Sequence, residues 1–463
     1  MKKTIAIILG LAMIFSLAAC GGSSAASAAK SEAAAAVSEA KSEAAAAVSE
    51  AKSEAAAAVS EAKSEAAEAV SEAVSEAAEA VSEAASEAAE AAEPAGPYPV
   101  KADFAAGPEW SADTEPTKEN GQWAQSYAVI DALAEQAKAY DGVAAKYTFS
   151  LACHDPAESA PGEFLTAWAD AVTIATEGAV DFNIGWSGSM SGTMASLDDM
   201  KSGTIDFDWT LPCYFKGYMP LTNVIQNPGL GIKNGTVGSH AMWDLYNAFP
   251  EIQDEFADDG ELLFVWANCT SPLSYKGTAE LADIKEITGN IRANNGPAQL
   301  FVSEVGASVF GCPIGDVYSN VQNSIINYLV TDWHGIKSFA LSDKGVLNYY
   351  LDTNIGCSAY ALMANKDIWS VIDPDTQAKI KEVSGDYLLN LVDIWNFWEA
   401  AGRYGALANG GTIYAPSAEL ADQLQAAYDN VAEAWVAEQA DPALAQEIYD
   451  QAKALVDKYN AEF

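Results

Sequence analysis

The sequence predicts an α/β protein of two lobes carried on an alanine-rich helical stalk, and three observations predict it. Composition divides the chain at Glu93: residues 31–93 hold 28 Ala in 63 positions with no Gly, Pro or aromatic residue, whereas all 12 Trp lie beyond that point. From residue 146 onward, short strand-like apolar runs alternate with helical segments, and the series occurs twice. A third, much longer helical pattern near the C-terminus is more than one lobe needs. The whole chain has 65 Asp+Glu against 24 Lys+Arg, a formal charge of −41, which excludes a nucleic-acid footprint or a polybasic membrane patch. Residues 94–463 carry −32 of it and are long enough for two packed lobes.

Taken in order, Lys2 and Lys3 followed by the apolar run 5–19 read as an export signal, too short for a confident membrane span. It ends in Leu17-Ala18-Ala19-Cys20. That tetrapeptide resembles the lipobox of bacterial lipoproteins, which implies acylation of Cys20, cleavage after residue 19 and a mature chain held to the outer face of the cell membrane. An ordinary signal with Cys20 incidental is the alternative. Residues 20–93 then repeat Lys-Ser-Glu-Ala-Ala-Ala-Ala-Val-Ser-Glu-Ala every eleven positions from Lys30, with Lys41, Lys52 and Lys63 as equivalents. Eleven residues are about three helical turns, so equivalent side chains return to one face. Ala favours the helix. With one Val per repeat the apolar stripe is too thin for a strong coiled-coil seam, leaving a spacer up to about 100 Å long if fully helical, or a partly disordered tether. Residues 94–145 form an N-terminal extension with a helix at about 122–140 and no evident function.

The domain at 146–463 supplies the alternation. Strands are expected at 146–152, 180–185 and 204–210, with helices at 162–177 and 192–201 between them. After a run at 262–267 the second series has strands at 290–293 and 308–312, helices at 297–305 and 316–323, and an apolar run at 325–329. Such crossover units imply mainly parallel sheets, with lobe 1 at about 146–267, lobe 2 at about 268–356, and C-terminal parts in both. Asp373-Pro374 is a helix start and Gly410-Gly411 a stop. The pattern between them predicts one helix of about 50 Å along the backs of both lobes.

Several segments, in this order, resemble the solute-binding subunits of tripartite ATP-independent (TRAP) transporters, dicarboxylate-type branch. They are Trp186-Ser187-Gly188-Ser189-Met190-Ser191-Gly192 followed by 197–206, Leu281-Ala282-Asp283-Ile284-Lys285 leading into Asn290-Ile291-Arg292, and Glu304-Val305-Gly306-Ala307-Ser308. Pro313-Ile314-Gly315-Asp316-Val317-Tyr318 and 362–380, with Asn365 and Trp369, complete the set. The resemblance implies a periplasmic-binding-protein-like Venus-flytrap fold, a small organic acid held between the lobes, and delivery to TRAP permease subunits in the membrane. It implies no cofactor.

The chain has two arginines, Arg292 and Arg403. A guanidinium holds a carboxylate through two hydrogen bonds and keeps its charge when desolvated. Arg292 aligns with the family's carboxylate clamp; Arg403, inside the long helix, reads as a surface or interlobe residue. His154, Trp209, Trp333, His334, Thr331, Asn268 and Trp186 correspond to other family positions near the ligand. The sequence departs from the family at Asn327 and Tyr328, and has Ser271 where some acid-binding members place a second Arg. One clamp and an aromatic rim suit a monocarboxylate with an apolar or aromatic body.

Beyond Cys20 the cysteines are Cys153, Cys213, Cys269, Cys312 and Cys357, an odd number with no C-x-x-C. Each sits near a strand end among small or apolar neighbours, which suits a buried reduced thiol, though an exported protein also permits disulfides. No phosphate-cradling glycine loop, nucleophile elbow or H-E-x-x-H is present, so an enzyme is not expected. A surface adhesin or scaffold, and a receptor for an amino acid or other zwitterion, remain open alternatives.

Overall fold

The computed structural model describes residues 98–102, 110–215 and 217–463; the signal segment, Cys20 and the repeats lie outside that range. Two sheets organise the described chain. The first runs β2-β1-β3-β10-β4, built from β1 (Tyr147–Ala152), β2 (Val180–Gly185), β3 (Phe207–Thr210), β4 (Gly260–Ala267) and β10 (Ala359–Asn365). The second runs β11-β9-β5-β8-β6-β7, from β5 (Leu273–Tyr275), β6 (Asn290–Arg292), β7 (Ser308–Phe310), β8 (Tyr328–Val330), β9 (Tyr349–Leu351) and β11 (Thr412–Tyr414).

The crossover connections place β1, β2 and β3 in parallel, and likewise β6, β7 and β8. The sheets are nevertheless mixed. Strand β10 is antiparallel to β3 and β4, and β5 is antiparallel to β8 and β9. The cause is a double passage between sheets: β4 leads into β5 through 268–272, and β9 returns to β10 through 352–358. A strand arriving from the other sheet enters against the local direction. The two passages lie side by side, Asn268 N–H donating to Ser358 O (3.1 Å) and Ile355 N–H to Ser271 O (2.9 Å).

Helices cover both sheets, and caps set their starts. In α2 (Ala160–Ala175) the Ser159 hydroxyl accepts from Gly162 N–H, and Pro161 occupies the first turn. Asn234 caps α4 (Gly235–Ala248) in the same way. Of the expected helix at 192–201, α3 covers only Ser196–Lys201. The extension is part of the body: α1 (Ala124–Ala137) packs on α2, and Tyr127 Oη donates to Glu163 (2.6 Å). Lys101 forms a buried ion pair with Asp393 at 2.6 Å.

The single helix expected between Asp373 and Gly410 is a correction. It is three pieces: a helix at Pro374–Glu382, a 3₁₀ segment at Gly385–Asn390, and α11 at Ile394–Ala408. Gly385 takes φ +52, and the Trp243 ring occupies the space above its Cα, 3.0 Å from where a Cβ would lie. Buried Ser384 accepts from Trp168 Nε1 at 3.0 Å. The interruption is thus fixed by tertiary packing. Only α11 makes the passage toward the second sheet, ending just before β11; Gly402 lets it approach the carbonyl of Trp333. Among the described residues no helix is long and apolar enough to cross a membrane.

Candidate functional site

The strand ends of the two sheets meet around a small, narrow cavity of about 20 Å³. His154 and Asp155 follow β1, and Leu211 and Tyr214 follow β3, all on one side. Asn294 follows β6, while Thr331, Asp332 and His334 follow β8 on the other. Ligands of open α/β sheets bind outside carboxyl strand ends, and this cavity has that position on both sheets at once.

Arg292, the last residue of β6, is 1% exposed. Its Nη2 donates to the hydroxyl of Tyr214 and its Nε to Cys312 O, both at 3.3 Å. Its Nη1 is buried with no hydrogen-bond partner, and no carboxylate among the described residues stands within ion-pair distance. Burial pushes the Tyr214 phenol up to about 12, so the hydroxyl that Arg292 meets at the cavity wall is neutral. A desolvated guanidinium without a counterion costs several kcal/mol, and the group cannot escape by losing its proton.

The opposite wall is acidic. Asp332 caps α8 (Trp333–Ser338), accepting from Gly335 N–H at 2.8 Å, and also accepts from Asn268 Nδ2 at 2.9 Å. Its Oδ1 stands 3.3 Å from His334 Nδ1. Burial opposes both charges, yet their mutual attraction prevails, holding the His334 imidazole above its usual range and the Asp332 carboxyl below its own. Asp155 lacks such a partner: His334 Nε2 is 3.9 Å from its Oδ1, and burial raises the carboxyl to about 7. His154 is pushed down to about 3 by burial, then by the His334 and Arg292 charges, and is therefore neutral. Among the described residues no group of three or more His, Cys, Asp or Glu has the geometry to hold a metal ion.

The expected residues divide. His154, Thr331 and His334 line the cavity. Arg292 stands at its edge behind Tyr214, with the guanidinium 5.9 Å from that ring. Asn268 lies beneath, in the first passage between sheets, holding Asp332 and Tyr360. Trp209 backs the site, its ring 4.6 Å from that of His154. Trp333 is turned away into the core, against Tyr350 and beneath Arg403. Trp186 is half-buried off the cavity, although Ser187 and Gly188 of its loop line the outer mouth. Tyr214, Asn294, Asp155 and Asp332 were not anticipated. Asn294 had a signal, because side chains two apart along an extended segment share a face with Arg292.

The five domain cysteines are free thiols, four of them buried.

A family model for bacterial extracellular solute-binding proteins, family 7 (DctP), matches residues 152–439, more than half of the chain. The chain belongs to that family. The extension and the repeats precede the matched region. Among solved structures, the receptor is similar to a marine metagenome TRAP solute binding protein specific for aromatic acid ligands, in complex with metahydroxyphenylacetate: 19% identity, TM-score 0.62, covering 68% of this chain and 99% of that one. A TRAP solute binding protein from Rhodoferax ferrireducens T118 with copurified benzoate is 22% identical, with TM-score 0.62 over 68% and 98% of the two chains. A periplasmic one from Bordetella bronchiseptica with bound (R)- and (S)-mandelate is 18% identical, with TM-score 0.60 over 67% and 99%. These likenesses show the two-lobed fold.

Proposed function

We propose that this family member is the extracytoplasmic receptor of a TRAP-type transporter, capturing a small monocarboxylate between its lobes and presenting it to membrane permease subunits. The observation that carries the reading is Arg292: a buried cation with a free donor, beside an interlobe cavity, with no carboxylate among the described residues within ion-pair distance. A ligand carboxylate supplies the missing counterion through a charge-assisted hydrogen bond. Net charge does not argue against an anionic ligand, because a Debye length of about 8 Å screens the surface field and leaves the local guanidinium to act. The relatives with benzoate, mandelate and metahydroxyphenylacetate support an organic acid.

The test is a thermal-shift series with small carboxylates. A ligand at 100 times its Kd stabilises the native state by about 2.7 kcal/mol, a clear rise in Tm. That rise is expected in the parent and absent in Arg292→Met; equal shifts in both contradict the clamp. Lobe closure predicts a smaller radius of gyration with ligand, and an unchanged scattering profile counts against it. On this reading Cys20 bears the lipid that holds the receptor to the membrane, checked by incorporation of labelled palmitate that Cys20→Ser abolishes.

A further inference from the structure

The cavity has a second pole, and its chemistry narrows the ligand class; the inference rests on the carboxylate reading above. Arg292 Nη1, Asp155 Oδ1 and His334 Nε2 are all buried without hydrogen-bond partners, and all belong to this one neighbourhood. Asp155 is 2% exposed and lines the cavity. No donor among the described residues reaches Oδ1: His334 Nε2, at 3.9 Å, is beyond hydrogen-bond reach. His154 approaches only Oδ2, at 3.5 Å. The turn that presents the carboxylate is fixed from behind, Ser187 N–H donating to Asp155 O at 2.9 Å and Gly188 N–H to Cys153 O at 3.0 Å. A buried acceptor left unmade is costly, and a rigidly held one facing a ligand cavity discriminates strongly, because an analogue without the matching donor leaves it unpaired.

Charge balance points the same way. The His334 imidazolium is already matched by Asp332 at 3.3 Å. Arg292 therefore balances one ligand carboxylate, and a second would stand against the ionised Asp332, with Asp155 adding its charge only as it ionises near 7. We propose that Asp155, with His334 behind it, is the acceptor for a hydrogen-bond donor on the ligand. The ligand is then a monocarboxylate that also bears a hydroxyl, amide N–H or ammonium group, and dicarboxylates are rejected.

The experiment is calorimetric titration of the full chain with matched acids: benzoate against its 2-, 3- and 4-hydroxy derivatives, propionate against lactate and alanine, and succinate. At least one donor-bearing acid binds the parent about tenfold or more tightly than its donor-free counterpart, the value of one buried hydrogen bond, and succinate binds most weakly. Lactate against alanine separates hydroxyl from ammonium. In Asp155→Leu the preference for the donor-bearing acid over its donor-free counterpart disappears or reverses. Donor-free acids binding the parent as tightly as their hydroxylated forms, or a preference that survives in Asp155→Leu, overturns the assignment while leaving the Arg292 clamp intact. Should no acid of the series bind the parent, the carboxylate reading falls as well. If Asp155→Leu does not fold, the parent's ranking alone decides.

Discussion

The two arginines of the chain solve the same physical problem in opposite ways. Arg403, on α11, donates from Nε and Nη2 to Glu399 Oε1 (3.0 and 2.9 Å) and from Nη1 to Asp352 (2.8 Å), and lies over the Trp333 ring. Glu399 in turn accepts from Thr270 N–H and Oγ1, so the pair ties α11 to both passages between the sheets. Arg292 is more deeply buried and meets only a phenol and a carbonyl. A charge that completes a network within the chain is architecture. One buried without a counterion marks the place where the counterion arrives from outside.

Exchanging the two residues for Met without ligand is the strongest way to break this comparison. Removing Arg403 strands Glu399, whose side chain is 10% exposed, and the expected cost is about 3 kcal/mol. Removing Arg292 strands nothing ionic, so urea unfolding should show a change below about 1 kcal/mol, or a gain. Equal losses would mean that Arg292 is paired after all.

Asp208 offers a third solution to buried charge, and it sharpens the comparison. It lies in β3 with both carboxyl oxygens buried, and burial, opposed by the Ser196 and Thr210 hydroxyls, raises it to about 7, so it holds its proton below that value. A carboxyl whose folded value exceeds its unfolded one loses native stability as pH rises between them. Asp208→Asn should therefore gain on the parent from about pH 4 to about pH 7 and no further, by about 4 kcal/mol in all. A difference independent of pH would contradict the assignment. The smallest effect is expected at the interruption before α11: Gly385→Ala, at φ +52 under Trp243, should cost about 1 kcal/mol in urea unfolding. No change would show that the bend is not held there.

The molecule was legible where a local rule decides. The alternating segment of β2 has the bounds read from sequence, Val180–Gly185, and Arg292 stood out because arginine is scarce. Tertiary contacts decided the rest. Asp373 and the Gly410 stop marked a true start and a true end, but Trp243 and Ser384 break the helix between them, and neither contact is local. Strand β10 is buried throughout and reads like any apolar segment; its antiparallel direction comes from the passage out of β9. Trp209 and Trp333 sit where aromatic walls were expected, yet their rings face the core. Asp155 adjoins His154 in sequence, but its isolation becomes visible only when the two sheets face each other.

The central claim concerns one guanidinium, and one titration addresses it: benzoate and its hydroxylated derivatives into the parent, Arg292→Met and Arg403→Met, at a temperature where all three are folded. The account predicts that Arg292→Met loses at least about 100-fold in affinity, about 2.7 kcal/mol, while Arg403→Met, though less stable, stays within about tenfold of the parent. Undiminished binding by Arg292→Met would contradict it.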